Sequence, residues 1–168
     1  MMICEEQPGQ EAAIRAVVGD AFGRSDESRL VDELRADGVL ALSLVAIEGG
    51  SVRGHVALSR MQAPARALGV APLSVRQADQ RRGVGSALMR AAIARAGQRH
   101  YDIIFVLGEP SFYSRFGFTP EAAAGFQSRF AGPNFMALHL VKPAVAACPV
   151  AYAEALENWA EPSAKRPE

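Results

Sequence analysis

Two short stretches of this chain hold residue types whose spacing could do chemistry. In the first, Leu73-Ser74-Val75 runs through a polar turn into Gln80-Arg81-Arg82-Gly83-Val84-Gly85-Ser86, so an apolar strand leads into a helix start marked by two glycines. The first turn of a helix has N–H groups without intrahelical partners and carries the positive end of the macrodipole. Gly83 and Gly85 would let an anion such as a phosphate come close to those donors. Arg81 and Arg82 add positive charge at the same place. A backbone bend or close helix–strand packing also uses glycines, so the motif by itself leaves both readings open. It is not a P-loop, because Gly-x-x-x-x-Gly-Lys-Ser/Thr is missing, and it lacks the third glycine of a dinucleotide fingerprint.

The second stretch is Phe112-Tyr113-Ser114-Arg115-Phe116-Gly117-Phe118, reached from the apolar run Ile103-Ile104-Phe105-Val106-Leu107 through Gly108-Glu109-Pro110. A phenol with a reference pKa of about 10 keeps its proton at neutral pH and can give it to a leaving group. Tyr113 suits that task, and beside Phe112 and Phe116 it also reads as a member of an aromatic cluster. A proton could be taken up by His55, by Glu109 or by a water held on backbone. Glu109 precedes Pro110, where a carboxylate also suits a helix start. The two cysteines, Cys4 and Cys148, stand far apart with no CxxC and no neighbouring His, which excludes a disulfide framework and gives no zinc pattern.

Together the two stretches resemble the GNAT acetyltransferase superfamily. Gln80-Arg81-Arg82-Gly83-Val84-Gly85 follows that family's coenzyme A pyrophosphate motif, Gln/Arg-x-x-Gly-x-Gly/Ala, and Tyr113 stands four residues before Gly117-Phe118 as the family's tyrosine commonly does. The form Tyr-x-Arg-Phe-Gly-Phe, with Pro72-Leu73-Ser74-Val75 ahead of the glycines, is similar to the YhbS-like branch of predicted N-acetyltransferases. The resemblance implies an α/β acyl-CoA N-acyltransferase fold: a mixed central sheet with splayed parallel fourth and fifth strands, flanked by helices. It implies acetyl-CoA as acyl donor and a primary amine as acceptor, joined by direct attack without a metal. Leu73, Ser74 and Val75 would lie along the pantetheine arm, and Gln80 through Ser86 would hold the pyrophosphate. The N–H of Leu73 or Val75 would meet the thioester oxygen as charge develops, and Tyr113 would protonate the departing thiolate. His55 is the candidate base with the better intrinsic pKa. The sequence departs from the family in having Gly108-Glu109-Pro110 where many members have an Asn, and Phe112 where the related branch often has a second Tyr. A coenzyme A or acyl-CoA binding module without turnover, acting as a sensor or scaffold, fits the same motifs. The retained Tyr113 favours the enzyme.

Periodicity places these residues on elements. Ile14, Val17, Val18, Ala21 and Phe22 recur at helical spacing from about Gln10 to Phe22, and Leu30, Val31 and Leu34 mark a second helix over about Asp26 to Ala36. Leu40 to Ile47 and Val52 to Arg60 read as a hairpin around Glu48-Gly49-Gly50-Ser51. Alternation sets Arg53, His55, Ala57 and Ser59 on one face, which is expected to be solvated or to line a cleft. Leu68 to Val75 is a strand containing Pro72, which cannot donate to a ladder and belongs at an edge or bulge. The family's bulged fourth strand accommodates it. A helix from Val84 to about Gly97 then crosses over to a parallel strand, Asp102 to Leu107. Ser111 to Phe116 is expected as a short helix and Asn134 to Val141 as a last strand.

With 168 residues and 49% hydrophobic content, the chain is expected to fold as one domain over 1–160, with a polar, disordered tail over 161–168. Eighteen basic and eighteen acidic side chains cancel, so no global field recruits nucleic acid. No aromatics lie beside Arg81, Arg82, Arg90, Arg95 and Arg99 for base stacking. No apolar run is long enough to span a bilayer and no secretory signal opens the chain, which leads to the expectation of a cytoplasmic monomer or homodimer.

Overall fold

The computed structural model describes residues 1–159, so the tail expected from Glu161 lies outside the described residues. The apolar segments form a six-stranded sheet: β1 (Met2–Glu5), β2 (Leu40–Glu48), β3 (Ser51–Arg60), β4 (Ala67–Val75), β5 (Ile103–Leu107) and β6 (Phe135–His139). Spatial order follows chain order. All neighbours are antiparallel except β4 and β5, which are joined by a crossover helix. The helices are α1 (Glu11–Phe22), α2 (Asp26–Ala36), α3 (Val84–Gln98), and the single turns α4 (Pro110–Tyr113), α5 (Pro120–Ala123) and α6 (Glu154–Glu157). β1 has no counterpart in the sequence reading. Four residues carry too little periodicity to be recognised, and pairing with β2 from Met2↔Ile47 to Glu5↔Leu44 makes it a strand.

The two layers of helix take opposite faces of the sheet. On one face, Val84, Leu88, Met89 and Ala92 of α3 pack with Leu44, Val56, Leu58, Leu68 and Val75. On the other, Ile14 and Val18 of α1 and Val31 of α2 close over Val45 and Ala57. Farther along that face Leu30 and Leu34 join Phe105, Phe126, Phe135 and Tyr152, with Phe105 stacked on Phe135 at 5.5 Å and edge-on to Phe126 at 5.1 Å. The polar side of β3 is therefore neither solvated nor the lining of an open cleft. His55, Ala57 and Ser59 are completely buried because α1 and α2 lie across them.

The strand β4 is irregular. Against β3, Val56 faces Leu73 while Leu58 faces Val70, so β4 spends three steps where β3 spends two. The extra residue falls in Ala71-Pro72, the bulge expected from a proline within a strand. Pairing with β5 runs from Ala67↔Ile103 to Val70↔Val106 and stops there. Beyond Val70 the two parallel strands no longer bond, while β4 stays paired to β3 through Leu73, Ser74 and Val75.

α3 sits close to the sheet because β3 offers it Gly54. A Cβ built there would stand 2.9 Å from both Leu88 Cδ1 and Val84 Cγ1 and 3.0 Å from the carbonyl oxygen of Ser74. Gly54→Ala should therefore lower unfolding free energy by about 1–3 kcal/mol through overpacking. Urea unfolding of the purified variant checks this, and an unchanged midpoint would show that α3 is not held that tightly.

Candidate active site

The gap beyond Val70 is walled by backbone. The N–H of Arg76 bonds to the carbonyl oxygen of Arg53 at 2.9 Å, so strand alternation turns Ser74 toward β3 and turns Leu73 and Val75 away from it, toward the gap. The side-chain amide of Gln80 donates to the Val75 carbonyl oxygen at 3.2 Å, in agreement with that orientation. Leu73, Ser74 and Val75 are all buried by side chain, and Pro72, immediately before them, has no N–H to give.

The polar turn after β4 delivers the chain to α3. Its Gln77–Asp79 segment is a 3-10 turn, anchored where the Gln77 N–H and side-chain amide reach the carboxylate and carbonyl of Asp20, both at 2.7 Å. Arg81 and Gly83 both take positive φ, +62° and +81°. Gly83 stands at the N-cap in a left-handed conformation that costs a residue with a Cβ far more than glycine. No side chain caps α3, so the first-turn amides of Val84, Gly85 and Ser86 face outward from a 15-residue helix without protein acceptors. Gln80, Arg81 and Arg82 lead into that turn, with differing roles. Gln80 is tied to β4, and Arg82 is held by the buried Asp79 at 2.7 Å and by Glu48 at 3.6 Å. Arg53 is a second cation beside Asp79, at 3.5 Å. Arg81 is exposed and, among the described residues, pairs with no carboxylate.

Across the gap, β5 ends in Gly108 and the α4 turn. Tyr113 is 6% exposed, and its ring meets Phe112 at 4.9 Å and Phe118 at 5.9 Å, both edge-on. Gly108 makes its position possible: a Cβ at that residue would collide with Tyr113 Cε2 and lie 3.0 Å from Cδ2. Burial pushes the phenol above its ordinary value, so Tyr113 keeps its proton throughout neutral and mildly alkaline pH. Glu109 occupies the N-cap of α4 but does not cap it with its side chain. Its carbonyl receives the N–H of Phe112 and Tyr113, and its carboxylate receives the Ser111 hydroxyl at 3.1 Å.

His55 belongs to a different environment. Its Nε2 lies 2.8 Å from Ser43 Oγ, the Ser43 hydroxyl donates to the Glu6 carboxylate, and Glu6 is paired with Arg35 at 2.8 Å. With the Ser43 proton committed to Glu6, Nε2–H must be the donor to Ser43, which makes Nδ1 a bare acceptor; it has no partner. Burial first, and the nearby Arg35 charge second, push the imidazole down to about 3. The sequence thus places Tyr113, the β4 amides and the α3 start around one gap, whereas His55 lies under α1. Gly108 escaped the sequence reading. Its signal was a glycine five residues ahead of Tyr113, where many family members have an Asn.

A bulged β4, a parallel partner that departs from it, an uncapped glycine helix start and a tyrosine across the opening are the parts that a GNAT acetyltransferase assembles, and the chain belongs to that family. The family described as Acetyltransferase (GNAT) domain matches residues 40–120. Among relatives, the uncharacterized N-acetyltransferase YhbS of Escherichia coli K12 is 34% identical over 136 residues, covering 79% of this chain and 81% of YhbS. The crystal structure of E. coli YhbS in complex with CoA superposes with a TM-score of 0.87 at 29% identity, over 98% of this chain and 95% of that one. A GNAT family acetyltransferase from Brucella melitensis, solved in complex with acetyl-CoA, gives 0.79 at 33% identity, over 92% and 97%. Among the described residues no group of His, Cys, Asp and Glu side chains is arranged to hold a metal, and no helix is long and apolar enough to cross a membrane.

The enclosure of His55 sets a pH dependence of stability. The unfolded chain takes a proton on this residue near pH 6.5 and the folded chain only near pH 3, so between those values the unfolded state binds more protons. Stability from the neutral imidazole is complete above pH 6.5 and is lost as pH falls toward 3. Relative to His55→Gln, the wild type should lose about 2 kcal/mol more between pH 6 and pH 4.5. Urea unfolding at the two pH values measures it, and equal losses would contradict a buried, neutral His55.

Proposed function

We propose that the chain is an N-acetyltransferase, working as a single domain, that moves the acetyl group of acetyl-CoA to a primary amine by direct attack. The observation that carries this reading is the convergence on one gap of unpaired β4 amides, the uncapped start of α3 and the protonated Tyr113. The pyrophosphate of acetyl-CoA lies over the turn from Gln80 to Ser86, where first-turn N–H groups and Arg81 meet its charge. Gln80 and Arg82 act there by holding the turn in shape. The pantetheine arm extends along Leu73, Ser74 and Val75 and forms with β4 the bonds that β5 has given up. The relatives solved with CoA and with acetyl-CoA support this assignment.

The amine nitrogen attacks the thioester carbonyl carbon, and the developing oxyanion is met by the N–H of Leu73 or Val75. As the tetrahedral intermediate collapses, the carbon–sulfur bond breaks and Tyr113 gives its proton to the thiolate. Burial that raises the phenol's pKa keeps it protonated at neutral pH, so the proton is in place when the sulfur leaves. The attacking amine's own proton goes to Glu109 or to water beside it, since Glu109 is exposed at the end of β5 whereas His55 is enclosed and neutral. His55 serves the fold in this scheme.

Tyr113→Phe keeps the ring that packs on Gly108 and removes only the proton. Turnover should fall by roughly a hundredfold or more, with acetyl-CoA affinity and stability nearly unchanged. Steady-state thiol release over a panel of amines, with calorimetry of acetyl-CoA on the same preparations, decides it. An equally active phenylalanine variant would remove Tyr113 from the chemistry, and a wild type that binds acetyl-CoA but acetylates none of the amines would favour a silent binding module. Gly83→Val, which forces a branched residue to φ near +81°, should weaken acetyl-CoA binding at least about tenfold, or about 1.4 kcal/mol. A folded variant with normal affinity would move the pyrophosphate elsewhere.

A further inference from the structure

Beside the cleft Arg53 and Arg82 are neutralised by carboxylates, whereas, among the described residues, Arg90 and Arg115, like Arg81, are not. Arg90 on α3 lies with its guanidinium carbon 5.5 Å from the centroid of Phe116, and Arg115 approaches the same ring at 5.7 Å while stacking on Phe112 at 4.5 Å. Both are exposed, and among the described residues neither is within ion-pair distance of an acid, in contrast to Arg53, Arg82, Arg95 and Arg99. A guanidinium stacked on an aromatic ring uses its faces and keeps its N–H edges for an acceptor. Arg115 spends only its Nε, on the Phe112 carbonyl oxygen at 3.1 Å, so both terminal nitrogens are available. Two like charges gathered on one ring with no acid between them make a place where an anion is stabilised.

The position of the pair says which anion. Arg90 follows Ser86 by four residues, so it lies on the same face of α3 about one turn farther along, about 6 Å of axial rise. That face meets Phe116 in the segment after α4, so the two guanidiniums gather on one ring about a turn of α3 beyond the uncapped first-turn amides. In coenzyme A the ribose that carries the 5′-pyrophosphate also carries a 3′-phosphate, a second anionic group one sugar away. We infer that Arg90 and Arg115, held by Phe116, recognise the 3′-phosphate of coenzyme A and make the protein select for 3′-phosphorylated donors. The inference rests on the pyrophosphate assignment above and assigns a further pair of residues to the same donor.

Coenzyme A and 3′-dephospho-coenzyme A differ only in that phosphate, so calorimetry with both on the full chain isolates it. The wild type should bind coenzyme A at least about tenfold tighter. In R90Q/R115Q the ratio should fall toward one, with affinity for dephospho-coenzyme A unchanged. The ratio in the wild type should also shrink as salt is raised, because both guanidiniums are exposed. R90Q alone, which alters only the outer face of α3, should reduce the ratio and serves if the double variant folds poorly. Equal affinities in the wild type, or a double variant that keeps the ratio or loses both ligands equally, would overturn the inference while the acetyltransferase reading stands. Binding of neither compound by the wild type would overturn both.

Discussion

Everything in this site depends on where β4 stops bonding to β5. The last parallel pair is Val70↔Val106, and the residue inserted at Ala71-Pro72 lets β4 continue against β3 while parting from its other neighbour. A regular strand would have spent the amides of Leu73 and Val75 on β5. The bulge keeps them unspent without leaving an exposed sheet edge, because helices cover both faces and buried side chains surround the gap. Unpaired backbone donors of this kind are costly in a protein interior, and the proposed acyl donor would relieve that cost by pairing with them.

Two close packings give the gap its walls. On one side, Gly54 lets Val84 and Leu88 approach the sheet, which brings the first turn of α3 to the end of β4. On the other, Gly108 accepts the ring of Tyr113 directly against the backbone at the end of β5. Beneath them, the chain from Arg35 through Glu6 and Ser43 to His55 ties α2, β2, β3 and the residue that follows β1 together under α1. Ser59 Oγ and Ser74 Oγ are enclosed without partners in the same way as His55 Nδ1. The sheet beside the gap is therefore polar inside and stiffened by specific bonds rather than by apolar contact alone.

Local signals were legible in the sequence. Gly83 and Gly85 after a strand, Pro72 inside one, and Tyr113 ahead of Gly117-Phe118 each reflect a backbone or packing demand satisfied within a few residues, and their order along the chain is enough to identify the fold. What could not be read depends on what covers what. Alternation correctly put His55 and Ser59 on one face of β3, but a face is functional or merely interior according to whether a helix lies over it. Nothing in Val52 to Arg60 announces α1. Gly108 looked like the loss of a family residue, and only the placement of the Tyr113 ring shows what a glycine does there. Arg82 looked like a free charge beside the glycines, whereas Asp79, three residues earlier, already holds it.

The central claim is that Leu73 and Val75 hold their N–H groups in reserve for an acyl donor. Amide hydrogen exchange followed by NMR, on the free protein and on the protein saturated with acetyl-CoA, tests it directly, with Ser74 as an internal standard because its N–H points to β3. Protection that rises at Leu73 and Val75 on loading while Ser74 stays nearly constant is the expected result. Leu73 and Val75 already as protected as Ser74 in the free protein, or unchanged by acetyl-CoA, would contradict the account.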